Sequence, residues 1–166
     1  MTVTVTNAQH EAPVNKTRMA QVATQAVRAL RIRSRGTLAI PFLGRRQIRA
    51  LNRRFLRHDR PTDVLSFRYN NVRGSGFPEP IVGEIFIAPA LARAYARTHA
   101  IPYSEELARY VVHGILHWLG HEDKTVAQQR RMREREDRLL TLCGVRLSPP
   151  TPNPQPRTSR NGHSHR

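Results

Sequence analysis

Thr2 to Thr6 alternates threonine and valine, the period-two pattern of a half-buried strand. From Lys16 to Arg31 the apolar positions Met19, Val22, Ala26 and Leu30 recur at helical spacing, which predicts a helix with that side buried. Thr37 to Leu43 reads as a second strand, broken by Gly44, and a basic helix follows from Arg45 to about Phe55. Taking about 100° per residue, Arg45, Arg49, Arg53 and Arg57 form one slanting stripe, with Ile48, Leu51 and Phe55 opposite and Leu56 towards the arginine side. Asp59-Arg60-Pro61 predicts a turn, because proline disfavours helical geometry in the residue before it. Thr62 to Phe67 reads as a strand, Asn70 to Pro80 as a flexible loop, and Ile81 to Ile87 as another strand. Helices are expected from Pro89 to Arg97, from Ser104 to Leu119 with Ser104 as its cap, and from Gln128 to Leu142. In the last of these Arg130, Arg131, Glu134, Arg135 and Asp137 read as a solvated face, and Met132, Leu139 and Leu142 as the buried side. The order of elements predicts a single α/β (α+β) domain, residues 1–147, with a small mixed sheet packed by several helices.

From Ser148 the character changes: the last 19 residues carry five prolines and no carboxylate side chain. Such a segment cannot offset the entropy of ordering by burying surface, so residues 148–166 read as a disordered basic tail. Composition adds a partner class. The chain has 28 Lys+Arg against 12 Asp+Glu, a net charge of +16, and the basic residues are nearly all arginine. A field this positive attracts phosphate-rich partners, nucleic acid first among them. No apolar run is long enough to span a bilayer. The amino terminus alternates instead of building a secretory apolar core, and Cys143 is the sole cysteine. Together these lean towards a reducing, cytoplasmic setting.

The candidate chemistry lies in HGILHWLGHED, residues 113–123. His113 and His117, four apart in a helix, present both imidazoles on one face as a chelating pair requires. Leu107, Val111, Ile115 and Leu119 form a neighbouring apolar stripe that would press the helix against the sheet. Gly120 ends the helix and lets the chain reverse, so a residue at 121–123 can return to the same metal. Asp123 is the favoured third ligand and His121 the alternative. Two imidazoles with a carboxylate or a third imidazole suit Zn2+, one per chain, with a fourth position left for water. Zinc peptidases place a glutamate general base directly after the first histidine. Here that residue is Gly114, which argues against peptidase chemistry.

LNRRFLRHDRPTDVLSF from Leu51 to Phe67, GEIFI from Gly83 to Ile87, and HGILHWLGHED resemble, in order, the YbeY-like family of single-strand-specific metallo-endoribonucleases. The resemblance covers roughly residues 1–147. It implies a small α/β domain with one zinc, in the zincin-like helix-turn pattern HxxxHxxGxxD. It further implies hydrolysis of RNA, a role in 16S ribosomal RNA 3′-end maturation and ribosome quality control, and a cytoplasmic location. Ribosomal RNA and the small ribosomal subunit are the partners it implies. His113 and His117 fall on the family's first two ligands, and Asp123 falls where the family's third ligand is a histidine. A functional arginine of the family corresponds to Leu56, with Arg53 and Arg57 beside it as candidate phosphate contacts. Glu84 stands where the family is similar to G-D-I and is a candidate for proton transfer. Asp63 is a candidate to orient a ligand histidine or to cap its own backbone. These departures leave a second expectation, an RNA-binding factor that keeps the fold with reduced or no cleavage.

Overall fold

The computed structural model describes residues 1–56, 62–72 and 78–149. The expected turn at Asp59-Arg60-Pro61 and the expected tail from residue 150 onward lie outside these. The described elements are β1 (Thr2–Ala8), α1 (Lys16–Ala29), β2 (Thr37–Leu43), α2 (Arg45–Leu56), β3 (Val64–Val72), β4 (Ile81–Ile87), α3 (Pro89–Thr98), α4 (Tyr103–Trp118) and α5 (Val126–Leu142). Their strands form one mixed four-stranded sheet in the order β1-β2-β4-β3. β1, β2 and β4 are parallel, and β3 runs antiparallel to β4 at the edge.

Alternation along the strands divides the sheet's two faces. Leu38, Ile40, Phe42, Val64, Ile85 and Ile87 join α1, α4 and α5 in the main core, where Val111, Val112, Ile115 and Leu116 are fully buried. On the opposite face Leu65, Phe67 and Phe86 pack with Ile48, Leu51 and Leu56 of α2 in a smaller cluster. Helix α4 approaches the sheet closely. A Cβ at Gly114 would collide with Ile85 Cγ2, and one at Gly83 would collide with the Trp118 indole. Ser66 Oγ donates to the Gly114 carbonyl at 2.9 Å, pinning that contact. The absent glutamate after His113 thus has a steric reason, because residue 114 faces the sheet.

Several boundaries differ from those the pattern predicts. β3 extends to Val72 rather than giving way to a loop at Asn70, because its later residues still pair with β4, Arg68 with Gly83 and Val72 with Ile81. Ser104 is not the cap of α4. The helix starts at Tyr103, and the Pro102 carbonyl receives the Glu105 and Glu106 N–H groups at 3.1 and 3.2 Å. α5 starts two residues early, at Val126, because Thr125 and Gln128 form a reciprocal capping box. Leu142 is 63% exposed, lying about 100° away from the Met132–Glu136–Leu139–Leu140–Cys143 stripe that α5 buries. In α2 the fully covered positions are Ile48 and Asn52, whereas Phe55 meets the edge of Phe67 at 5.4 Å and stays 49% exposed. Leu56 turns into the small apolar cluster rather than towards the arginines.

The α4–sheet contact yields a stability prediction. Overpacking a tight core costs about 1–3 kcal/mol, against a helix-propensity gain of about 1 kcal/mol for alanine over glycine. Gly114→Ala should therefore lower the melting temperature, which a thermal melt followed by circular dichroism would read.

Candidate metal centre

His113 and His117 occupy successive turns of α4, with ring centroids 4.3 Å apart and Nε2 atoms 2.9 Å apart. The helix then stops in a two-bond left-handed closure. Gly120, at φ +97°, donates its N–H to the His117 carbonyl at 2.8 Å, and His121 donates to the Leu116 carbonyl at 3.0 Å. Side chains adopt that φ at a cost, which is why glycine stands there. The reversal brings Asp123 back over the histidines. Its Oδ2 lies 3.5 Å from His117 Nε2 and 3.7 Å from His113 Nε2. The three ligand-capable atoms lie within 4.8 Å of one another, and all three residues are nearly buried.

This triangle suits a small tetrahedral cation. Bonds of about 2.0–2.1 Å in tetrahedral geometry separate neighbouring ligand atoms by about 3.3–3.4 Å, and the observed edges of 2.9, 3.5 and 3.7 Å bracket that spacing. The donor set, two imidazole nitrogens and one carboxylate oxygen, is one that zinc accepts with a fourth position open.

Behind the cluster stands a group that the sequence pattern did not bring forward. His113 Nδ1 is 2.6 Å from Glu136 Oε1. The carboxylate fixes the tautomer with the proton on Nδ1, which leaves the Nε2 lone pair aimed at the cluster. Arg109 Nη1 reaches Glu136 Oε2 at 3.1 Å and Asp137 Oδ1 at 2.6 Å. Arg109 and Glu136 are each only 2% exposed. Burial disfavours a charged His113. The hydrogen bond to Glu136 and the negative charges of Glu136, Asp63 and Asp123 outweigh that, and its pKa is raised above the ordinary 6.5. The signal for both residues was spacing: Arg109 precedes His113 by four in α4, and Glu136 interrupts the apolar stripe of α5.

The other candidates separate from this cluster. His121 turns away, accepting a hydrogen bond from Arg135 Nη1 on Nδ1 at 3.0 Å. Burial and then the Arg135 charge lower its pKa. Asp63 is buried and accepts the Val64 N–H at 3.1 Å, so it caps its own strand, and its charge also acts on His113. Glu84 shares the opposite face of the sheet with Phe86 and accepts the Tyr69 hydroxyl at 2.7 Å, so the structure does not bring it to the histidines. Arg53 lies exposed near the end of α2, and Arg57 lies outside the described residues. Arg45 of the same stripe pairs with Glu11 at 3.7 Å. Trp118 and Tyr110 are core residues, 4% and 3% exposed, and Cys143 is buried with its thiol pKa raised by that burial.

An α+β protein whose long central helix carries a His/His/carboxylate cluster is the class that fold and site define. A family model described as Endoribonuclease YbeY matches residues 4–144. The chain belongs to the YbeY endoribonuclease family. It is 34% identical over 114 residues to "Endoribonuclease YbeY" of Flavobacterium psychrophilum, covering 69% of this chain and 77% of that one. It is 32% identical over 144 residues to the protein of the same name from Carboxydothermus hydrogenoformans, covering 85% of this chain and 96% of that one. The solution structure of TM1509 from Thermotoga maritima superposes with a TM-score of 0.57 at 21% identity, over 85% of this chain and 88% of the other, a likeness of fold.

The raised pKa of His113 carries a sign. A group that holds its proton more tightly in the folded state contributes stability that is complete below its unfolded pKa of 6.5. That contribution is lost as pH rises through the raised folded value. Melts of the metal-free protein taken upward from pH 6.5 should show the His113 contribution fading. In Glu136→Gln the fall over that interval should be shallower.

Proposed function

We propose that this chain is a zinc-dependent endoribonuclease that hydrolyses phosphodiester bonds in single-stranded RNA. We assign its substrate to ribosomal RNA of the small subunit, with 16S 3′-end maturation and ribosome quality control in the cytoplasm as its setting. The observation that carries the reading is the convergence of His113 Nε2, His117 Nε2 and Asp123 Oδ2 at one point, in a chain of this family. In this reading those three residues are the ligands of the HxxxHxxGxxD helix-turn. A zinc ion held there would supply Lewis acidity towards water and a phosphoryl oxygen. The chain's own residues do the remainder: Glu136 holds His113 in the ligating tautomer, Gly120 returns Asp123 to the pair, and Gly114 keeps α4 seated on the sheet. Asp123 adds a negative charge that a third imidazole would not, and that charge would temper the Lewis acidity of a cation held there.

RNA contact is assigned to α2 and the segment following it. α2 exposes Arg46, Arg49, Arg53 and Arg54 and contains no carboxylate. The half-exposed Phe55 ring lies 5.3 Å from the Arg54 guanidinium, a pairing of charge and aromatic surface that suits single strands. A neighbouring arginine, Arg53 or Arg57, takes the phosphate role at the Leu56 position. No helix among the described residues is long and apolar enough to cross a membrane.

The test is cleavage of a 16S precursor and an unstructured RNA by zinc-loaded protein. His113→Ala/His117→Ala and Asp123→Ala should each lose bound zinc. Their cleavage should fall by more than the roughly 10–100-fold that changes outside the ligand set cost. Asp123→His should keep the metal and shift the pH–rate profile to lower pH. Zinc-loaded wild type no faster than an EDTA-treated control would reject the enzyme reading. The second reading, a binding factor with little or no cleavage, draws on the carboxylate at 123 and on Leu56 packing into an apolar cluster. It predicts RNA affinity unchanged by Asp123→Ala. Under either reading Phe55→Ala should weaken single-stranded RNA binding by about 1–3 kcal/mol in a filter or anisotropy assay.

A further inference from the structure

Glu105, Arg109, His113 and His117 stand on four successive turns of α4 and form one row along the helix. All four are charged or metal-competent groups at 5% exposure or less, and Arg109 is 2% exposed. Glu105 Oε2 accepts both the N–H and the Oγ–H of Ser148, at 3.0 and 2.7 Å, and its Oε1 lies 3.9 Å from Arg109 Nη2. Arg109 Nη1 holds Glu136 Oε2 and Asp137 Oδ1. Glu136 Oε1 then holds His113 Nδ1. One guanidinium therefore faces three carboxylates from two helices.

Such a cluster is a poor way to stabilise a core, since buried ion pairs replaced by apolar side chains of similar volume are often neutral or stabilising. Its arrangement has a different consequence. The two oxygens of Glu136 are divided between Arg109 and His113, residues one turn apart on the same helix. With one oxygen fixed by the fork, the other is left at a defined point for the imidazole N–H. A guanidinium serves this because its Nη atoms address carboxylates on different sides at once, which the single ammonium of lysine does not.

We infer that Arg109 is a positioning residue for the metal centre: acting through Glu136, it sets the orientation and tautomer of His113. The inference rests on the metal reading above, in which His113 is a ligand. The row also runs from the centre to Ser148, so the chain's approach to its carboxyl end is anchored on the same helix face.

The experiment compares Arg109→Lys, Glu136→Gln and the double variant, with Arg109→Lys chosen because it keeps a buried cation against the carboxylates. Zinc affinity is read by competition with a chelator, folding by circular dichroism and melting temperature. Glu136→Gln should bind zinc about 10–100-fold more weakly, and Arg109→Lys should be weaker than wild type by at least about threefold, while both remain folded. Because the two act in series, the double variant should lose no more than Glu136→Gln alone. Additive losses, or Arg109→Lys within error of wild type, would overturn the assignment. A second readout needs no metal: nitrogen-15 spectra of the histidine rings in the metal-free protein. Wild type should show His113 protonated on Nδ1 with a slowly exchanging proton, and Arg109→Lys should lose that protection. Retained protection sinks the proposal. If wild type takes up no zinc yet the ring signal follows the variants, the metal reading falls and the positioning role stands.

Discussion

The closeness of α4 to the sheet governs the rest of the molecule. At Gly114 the helix backbone meets Ile85 and Val64, and Ser66 secures the same carbonyl. A side chain there would push the helix outwards and with it everything the helix carries. Because residues 111, 114, 115 and 118 are committed to the sheet and core, the row at 105, 109, 113 and 117 is set round the helix, towards α5. Hydrophobic packing on one side thus aims the polar chemistry on the other.

That polar side concentrates anions. Asp63, Asp123 and Glu136 are buried with their charges acting on His113, and Glu105 is buried further along α4 on the other side of the Arg109 guanidinium. Carboxylates in a low-dielectric setting are costly unless paired. A divalent cation at the His113–His117–Asp123 triangle would balance charge that the protein has already assembled. With Asp123 in place of a third imidazole, the electrostatic hold on such a cation would be firmer and its Lewis acidity weaker.

Much of this was legible in the chain before the fold was known. β2 and β4 are bounded by residues whose patterns are unambiguous, and the His113–His117 pair with Gly120 announces a helix and its reversal. What failed to read did so for identifiable reasons. Leu142 and Phe55 are apolar residues at helix ends, where periodicity continues after the neighbouring surface has run out. β3 outlasts its apolar stretch because backbone pairing with β4, not side-chain pattern, sustains it. Glu136 lay among seven other charged residues of α5 and did not stand out, since charge content reports a helix's average surroundings and not one position's.

The sequence by itself determined the kind of domain, the ligand-capable pair, the turn that follows and the strongly basic surface, because each is a local matter of spacing, composition or backbone conformation. Which partners those residues meet belonged to tertiary structure. Glu84 carries the right charge yet lies on the far face of the sheet, while Glu136, far along the chain, reaches His113. Both outcomes follow from how α2, α4 and α5 are distributed over the two faces of one sheet. No spacing rule along the chain encodes that distribution, because it is settled by which apolar faces bury one another.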